Sequence, residues 1–316
     1  MKKLALVGAS GLVGQTVLKV LKEEGLIEKF ELFLISSNRS AGKILVFNDK
    51  HYILHELCDD ILKEKFDYAI FVLNEDVSKV WAKQFAKNGT TVIDNSSVFR
   101  MNKNVPLVVP EINFNIIKKS DKIIANPNCS TIQLVLVLDK LKGLADFETV
   151  VVSSYQSVSG AGKEALLDLE TGSNNVFDIE IKDNFIAQIG KISENKFCSE
   201  ENKIMLESQK ILNKKFNISA TTVRVPIKFC HGESVYVKFS KKVDIEDIKK
   251  ALDCENIVVS EDIFYPTDCE NTNETYVFRL RKHSDNEILF FVIADNLRRG
   301  AAYNAVQILK RVCDFT

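Results

Sequence analysis

Proline is scarce, with five in 316 residues, and this argues against a collagen-like or proline-rich disordered chain. Charge of one sign is missing too. Lys and Arg total 42 against 43 Asp and Glu, a net charge of −1, so the imbalance typical of a nucleic-acid binder is absent and no nucleic-acid partner is expected. No apolar run approaches the roughly 18 residues of a membrane helix, and the apolar opening MKKLALV stops at Gly8, too early for a signal peptide. No membrane association is expected. The seven cysteines are an odd count without a CxxC pair, which argues against a disulfide framework or a zinc site. No metal is expected, and a reducing, cytoplasmic setting fits best.

What is present is ordinary folded composition, 46% apolar and 27% charged, in a chain long enough for two cores. LALV (4–7), ELFLIS (31–36), DYAIFVL (67–73), TTVID (90–94) and KIIA (122–125) read as strands. Helical spacing at 12–22 and about 77–87 separates some of them. Near-continuous apolar strands alternating with helices predict a doubly wound parallel sheet of the Rossmann, dinucleotide-binding type. Beyond residue 128 the texture changes. Stretches 148–156, 221–226, 233–239, 275–280 and 288–293 alternate or carry polar residues, which predicts an α+β second domain with a mixed or antiparallel sheet. Residues 297–312 have helical spacing. The expected division is a dinucleotide-binding domain at 1–128, completed by a C-terminal helix at 297–316, and a catalytic and dimerisation domain at 129–296.

GASGLVG (8–14) lies between a strand and a helix, where glycines let backbone amides approach a pyrophosphate and the helix start supplies partial positive charge. This makes Gly8, Ser10, Gly11, Leu12, Val13 and Gly14 the expected pyrophosphate loop, although its spacing is GxxGxxG and a tight turn without ligand would look the same. About 20 residues on, an NAD site commonly has Asp or Glu, whereas this chain has SSNRS at 36–40. Ser37, Arg39 and Ser40 suit a ribose 2′-phosphate, so NADP(H) is favoured over NAD.

ANPNCSTIQ (125–133) puts Cys129 at the start of a helix predicted over 130–141, with apolar residues at 132, 134, 135, 138 and 141. Most cysteines are small buried hydrophobes. At a helix start, however, the macrodipole favours a thiolate, and the first amides offer a hold for an oxyanion. A partner base is also needed. Of the four histidines, His51, His55 and His283 lie in charged or polar surroundings, and His231 lies at a turn between two predicted strands. Linear distance does not prove that His231 pairs with Cys129.

Several of these stretches occur in an order that resembles the aspartate-β-semialdehyde dehydrogenase family: GASGLVG, SAGK (40–43), DNSSVFR (94–100), PLVVPEIN (106–113), PNCSTIQ (127–133), YQSVSGAG (155–162), RVPIKFCHGESVYV (224–237) and DNLRRGAA (295–302). The resemblance implies an NADP-dependent, phosphorylating oxidoreductase that interconverts L-aspartyl-4-phosphate and aspartate 4-semialdehyde through a thioester. In it Cys129 is the nucleophile, Gln156 positions substrate, and His231 is the general acid/base. Arg224 clamps the α-carboxylate, Glu200 meets the amino group, Asn128 lies at the substrate, and Arg100 and Lys203 hold phosphate. Ser159, Gly160 and Gly162 lie near the cofactor, and Asn296 near the nicotinamide carboxamide. A homodimer or homotetramer is implied, as is a place in the synthesis of lysine, diaminopimelate, methionine and threonine. Two departures stand out: Asn74, Glu75 and Asp76 replace a small turn, and DNFIAQI (183–189) lacks a proline that the family often has. A related N-acetyl-γ-glutamyl-phosphate reductase would have Gly-Cys-Tyr where this chain has Asn-Cys-Ser. A papain-like Cys/His hydrolase would not explain the glycine loop, and a non-catalytic nucleotide-binding paralogue would draw on the altered 74–76 turn.

Overall fold

Lys2–Val7 (β1) is followed by Phe30–Ser36 (β2), the hairpin Ile44–Phe47 (β3) and Lys50–Ile53 (β4), His55–Glu56 (β5), Tyr68–Phe71 (β6), Thr91–Asp94 (β7) and Ile123–Ala125 (β8). The computed structural model describes residues 1–315. Apart from the hairpin, these strands form one sheet in the order β5-β2-β1-β6-β7-β8, with every pairing parallel. From β1 the chain moves first to one side and later to the other. The ends of β1 and its neighbours therefore mark the switch point where open parallel sheets bind ligands. Strands such as β6 and β7 are buried along their whole length because both faces of the sheet are covered.

The loop after β1 depends on its glycines. Gly8 has φ +96°, and a Cβ there would lie 2.5 Å from the Val72 carbonyl oxygen. A Cβ on Gly14 would run into the Gly8 carbonyl, so the helix Leu12–Glu23 can sit close to β1 only with glycine there. Its Val17, Leu18, Val20 and Leu21 join a core shared with Leu4, Leu6, Leu34 and Ile70, and with Ala305, Val306, Ile308, Leu309 and Val312 of the C-terminal helix Asn304–Phe315. Asn304 ties that helix down by donating to the Val108 carbonyl and to Asn126 Oδ1 at 2.9 and 2.6 Å. Residues 1–127 and 301–316 accordingly form one compact unit, and 128–300 a second.

The second unit has Phe147–Gln156 (β9), Asn217–Arg224 (β10), His231–Phe239 (β11), Ile257–Ser260 (β12), Thr275–Ser284 (β13) and Glu287–Ala294 (β14) in the order β10-β9-β11-β14-β13-β12. The sheet is mixed: β9/β10 and β12/β13 are parallel and the rest antiparallel. One face is buried through Val150, Val152, Val235, Val237 and Phe239. On the other, Val151 and Tyr155 are 40% and 39% exposed, which explains the period-two pattern. Helices Cys129–Leu141, Ser199–Leu212 and Ile245–Leu252 belong to this unit.

In the Cys129 helix every residue from Ser130 to Leu138 is buried, as in a helix enclosed by its domain. One expectation changes. The helix expected from residue 297 opens instead as a wide π-type turn over Arg298–Tyr303 and becomes α-helical only at Asn304. Asp295 Oδ1 accepts from the Leu297 and Arg298 amides at the start of that turn. The turn brings Gly300 against Cys129, where a Cβ would lie 2.8 Å from the cysteine Cβ.

Candidate active site

In the second unit, one edge of the sheet gathers the ends of three strands. The register pairs Arg224, the last residue of β10, with Gln156, the last of β9; Gln156 in turn pairs with His231, the first of β11. His231 is thus a strand residue with a fully buried ring and not part of an exposed turn. Gln156 is 1% exposed, and its Nε2 donates to Ser154 Oγ at 3.2 Å. Arg224 Nη1 donates to the Ser157 carbonyl at 2.6 Å. Burial pushes the guanidinium pKa down, and the charges of Glu200 and Cys129 oppose this, so the thiol lies within electrostatic reach of Arg224. Gly160 keeps room here: a Cβ would lie 3.1 Å from Arg224 Nη1 and 3.4 Å from His231 Nε2.

Cys129 is half-buried and is the first residue of its helix. Asn128 supports it from three directions. The Asn128 side chain caps the helix by accepting from the Ser130 and Thr131 amides at 3.0 and 3.2 Å. Its Nδ2 donates to Glu200 Oε1, and its backbone amide to Glu207 Oε2, both at 2.7 Å. Two of the first-turn amides expected to offer a hold for an oxyanion, those of Ser130 and Thr131, are thus engaged by the cap. Burial pushes the Glu200 carboxyl up, but the Lys203 charge, the Asn128 and Lys203 hydrogen bonds and the Arg224 charge outweigh it, so the pKa is lowered and the group ionised. Lys203 Nζ reaches Glu200 Oε2 at 3.2 Å from one turn along the same helix, itself 28% exposed.

Ser159 and Asn296 are buried, and the carboxamide of Asn296 is committed inside the unit. Its Oδ1 accepts from Ser157 Oγ, Ser159 Oγ and the Cys230 amide, and its Nδ2 donates to Ser159 Oγ at 3.0 Å. Gly162 adopts φ +101° just before the Lys163–Thr171 helix.

The remaining expected residues lie in the first unit. Arg100 is 7% exposed, with Nε donating to the Asn126 carbonyl at 2.9 Å and Nη2 to the Asn95 carbonyl at 2.6 Å. The glycine loop follows β1. Gly8 and Ala9 amides both donate to the Ile35 carbonyl, while no side chain caps the Leu12 helix, so its first turn is the part suited to a phosphate. Ser37, Arg39 and Ser40 follow β2, the neighbour of β1, in a turn closed by the Ser40 and Ala41 amides on the Ser37 carbonyl. After β6, Asn74 caps the helix Glu75–Lys87, its Oδ1 accepting from the Val77 amide at 3.0 Å, and Glu75 accepts from Ser97 Oγ. The altered turn is therefore an ordinary acidic helix start.

Sequence reasoning missed Ser157, Glu207 and the pair Gln133 and Glu233. Gln133 Nε2 donates to the His231 carbonyl at 3.2 Å. Glu233 is fully buried, and burial pushes its carboxyl well above the usual range, with Gln133 acting weakly in the other direction. The alternation along β11 carried the signal for Glu233, which shares the inward positions of Val235 and Val237. Ser157 gave no signal beyond following Gln156.

A parallel sheet of the dinucleotide-binding type and a second unit built around a helix-start cysteine define a semialdehyde dehydrogenase-type fold. Residues 3–120 match the semialdehyde dehydrogenase NAD binding domain and residues 140–299 the semialdehyde dehydrogenase dimerisation domain. Aspartate-semialdehyde dehydrogenases of Aquifex aeolicus and Bacillus subtilis are 39% and 37% identical to this chain, covering 97% and 96% of it and 96% and 95% of their own lengths. The crystal structure of aspartate semialdehyde dehydrogenase II from Vibrio cholerae, complexed with ASA, superposes with a TM-score of 0.95 at 35% identity, covering 100% of this chain and 99% of that one. The chain belongs to the aspartate-semialdehyde dehydrogenase family.

Proposed function

We propose that the protein catalyses the reversible, NADPH-dependent conversion of L-aspartyl-4-phosphate to L-aspartate 4-semialdehyde and inorganic phosphate, through a thioester on Cys129. The observation that carries this reading is the thiol at the start of a capped, buried helix, in the same unit as Arg224, Gln156 and His231 at one sheet edge. Cysteine suits the task because a thioester stays open to attack by phosphate and accepts hydride more readily than an oxygen ester.

Each end of the substrate has a matching group. The Arg224 guanidinium suits the α-carboxylate, and the ionised Glu200 suits the α-ammonium beside it. Lys203 and Arg100 are assigned to the phosphoryl group. Gln156 orients the acyl carbon, and His231 presents Nε2 to its oxygen. A bound NADP(H) supplies or accepts the hydride. The uncapped first turn of the Leu12 helix would hold its pyrophosphate, and Ser37, Arg39 and Ser40 its 2′-phosphate. The fit rests on Gly8 and Gly14, whose missing Cβ atoms let helix and strand close together. The half-exposed Val151 and Tyr155 support a homodimer through the outer face of the second sheet. The same reading places the enzyme in the cytoplasm, in the synthesis of the aspartate-derived amino acids.

The test is to mix protein, semialdehyde, phosphate and NADP and to follow nicotinamide absorbance. Turnover is expected, with Cys129→Ser lowering it by orders of magnitude at unchanged circular dichroism. Near-normal turnover in that variant would remove the thioester. Arg39→Ala is expected to lower kcat/KM with NADP about tenfold or more and to leave NAD little changed; equal losses with both would assign Arg39 no part in the choice.

A further inference from the structure

Cys230 and Cys269, far apart in the chain, are both fully buried free thiols and share one small core cluster with Phe278 and Ile293. Cys230 Sγ donates to the Pro266 carbonyl at 3.2 Å, on the single helical turn Pro266–Cys269 that ends in the second cysteine. The Cys269 sulfur acts electrostatically on Cys230, and both act on the Tyr276 hydroxyl. The two thiols therefore occupy one place. Cys230 also has φ +68°, a left-handed conformation that glycine adopts freely and a side chain resists. Packing as a small hydrophobe gives no reason for a cysteine at that angle.

The residues after Cys269 hold the turn that reaches Cys129. The Asn271 amide donates to Asp295 Oδ2 at 2.8 Å, and Arg298 Nε donates to Asn273 Oδ1 at 2.7 Å. From the other side the Cys230 amide donates to Asn296 Oδ1 at 2.9 Å. Asp295, Asn296 and Arg298 open the turn whose Gly300 lies against Cys129. A movement of either cysteine is passed to that turn.

We propose that Cys230 and Cys269 form a reversible redox switch, oxidised by a small-molecule disulfide of the glutathione type to an internal disulfide that shifts the 295–300 turn and lowers turnover. The inference goes beyond the proposed reaction, in which neither thiol takes part, and uses that reaction only as a readout. The thiolate of one cysteine attacks a sulfur of the small disulfide, giving a mixed disulfide and one small thiol. The second cysteine then displaces the other small thiol and closes the Cys230–Cys269 bond. Two electrons pass to the small disulfide, and the two protein thiol protons end on the two small thiols released. The bond draws the sulfurs to about 2.05 Å, closer than any packing contact, and removes the proton that Cys230 shares with the Pro266 carbonyl. Burial raises both thiol pKa values, Cys269 to about 12 and Cys230 further, so exchange is slow and begins at Cys269.

The experiment is to equilibrate the intact protein for hours in glutathione buffers from fully reduced to fully oxidised, then digest it and map its disulfides by mass spectrometry. A Cys230–Cys269 cross-linked peptide that rises with oxidant and disappears with dithiothreitol is expected; its absence in the fully oxidised buffer would overturn the proposal. Modification of Cys129 is common to all variants, so the oxidised parent should lose at least about fivefold more turnover than Cys269→Val taken through the same buffers. Cys230→Gly, which suits the left-handed angle, should resist in the same way. Equal losses in the parent and both variants would overturn the coupling between the pair and the turn.

Discussion

Replacing Asn128 separates two kinds of support for Cys129. Asn128→Ala removes the cap on the Ser130 and Thr131 amides, which costs about 1 kcal/mol, and the hydrogen bond to the ionised, 6% exposed Glu200, which costs about 2 kcal/mol. At roughly 2–4 °C per kcal/mol for a unit of this size, the loss of about 3 kcal/mol lowers the melting temperature by about 6–12 °C. Asn128→Ser keeps a capping oxygen and loses only the contact with Glu200, so its melting temperature falls by about 4–8 °C. Asn128→Asp also keeps the cap but sets a second carboxylate against Glu200 across a contact that is now 2.7 Å. Its deficit should therefore be larger at pH 8 than at pH 5, where a proton can be shared. Differential scanning calorimetry on the four proteins at both pH values reads all of this. Equal melting of the Ser and Ala variants, both within 1 °C of the parent, would refute the argument that this side chain holds the helix start to Glu200.

Gly160→Ala adds a methyl 3.1 Å from Arg224 Nη1 and 3.4 Å from His231 Nε2 at an exposed position. It should lower kcat/KM for the semialdehyde about 10- to 100-fold with the melting temperature within about 2 °C, and unchanged kinetics would show that the space is not used. Glu233 is expected to be protonated when folded, because burial raises its pKa. Unfolding lets it ionise at the ordinary value, so its effect on stability is absent below that value and becomes increasingly unfavourable as pH rises above about 4.3. Glu233→Gln removes this term, and its melting temperature should gain on the parent between pH 5 and pH 8; parallel curves would mean that the carboxyl is not held neutral.

How far the sequence reaches depends on whether a feature is local. The glycine loop is legible because the φ of +96° at Gly8 and the close approach of Gly14 to the Gly8 carbonyl are set within a single strand-to-helix turn, whereas the contact of Gly8 with Val72 comes from the sheet. Cys129 at a helix start is legible because Asn128 and the apolar run behind it write that start in the chain. Period two in β9 and β11 told which residues face inward, but not that β10 runs parallel to β9, since alternation reports a face and carries nothing about the direction of a neighbour. That Asn128 takes up the Ser130 and Thr131 amides was also not read from the sequence, although a residue type that caps a helix occupies the donors it caps.

The sequence by itself determined the two textures of sheet, the position of the thiol at a helix start and the family motifs, because hydrophobic period and turn chemistry act over a few neighbouring residues. Only the tertiary structure decided that Gln156, Arg224 and His231 share one sheet edge, that Asn128 binds Glu200 and Glu207, and that Ser157 faces His231 Nδ1. Those depend on strand register and on hydrogen-bond direction across long separations in the chain, and no local pattern encodes either.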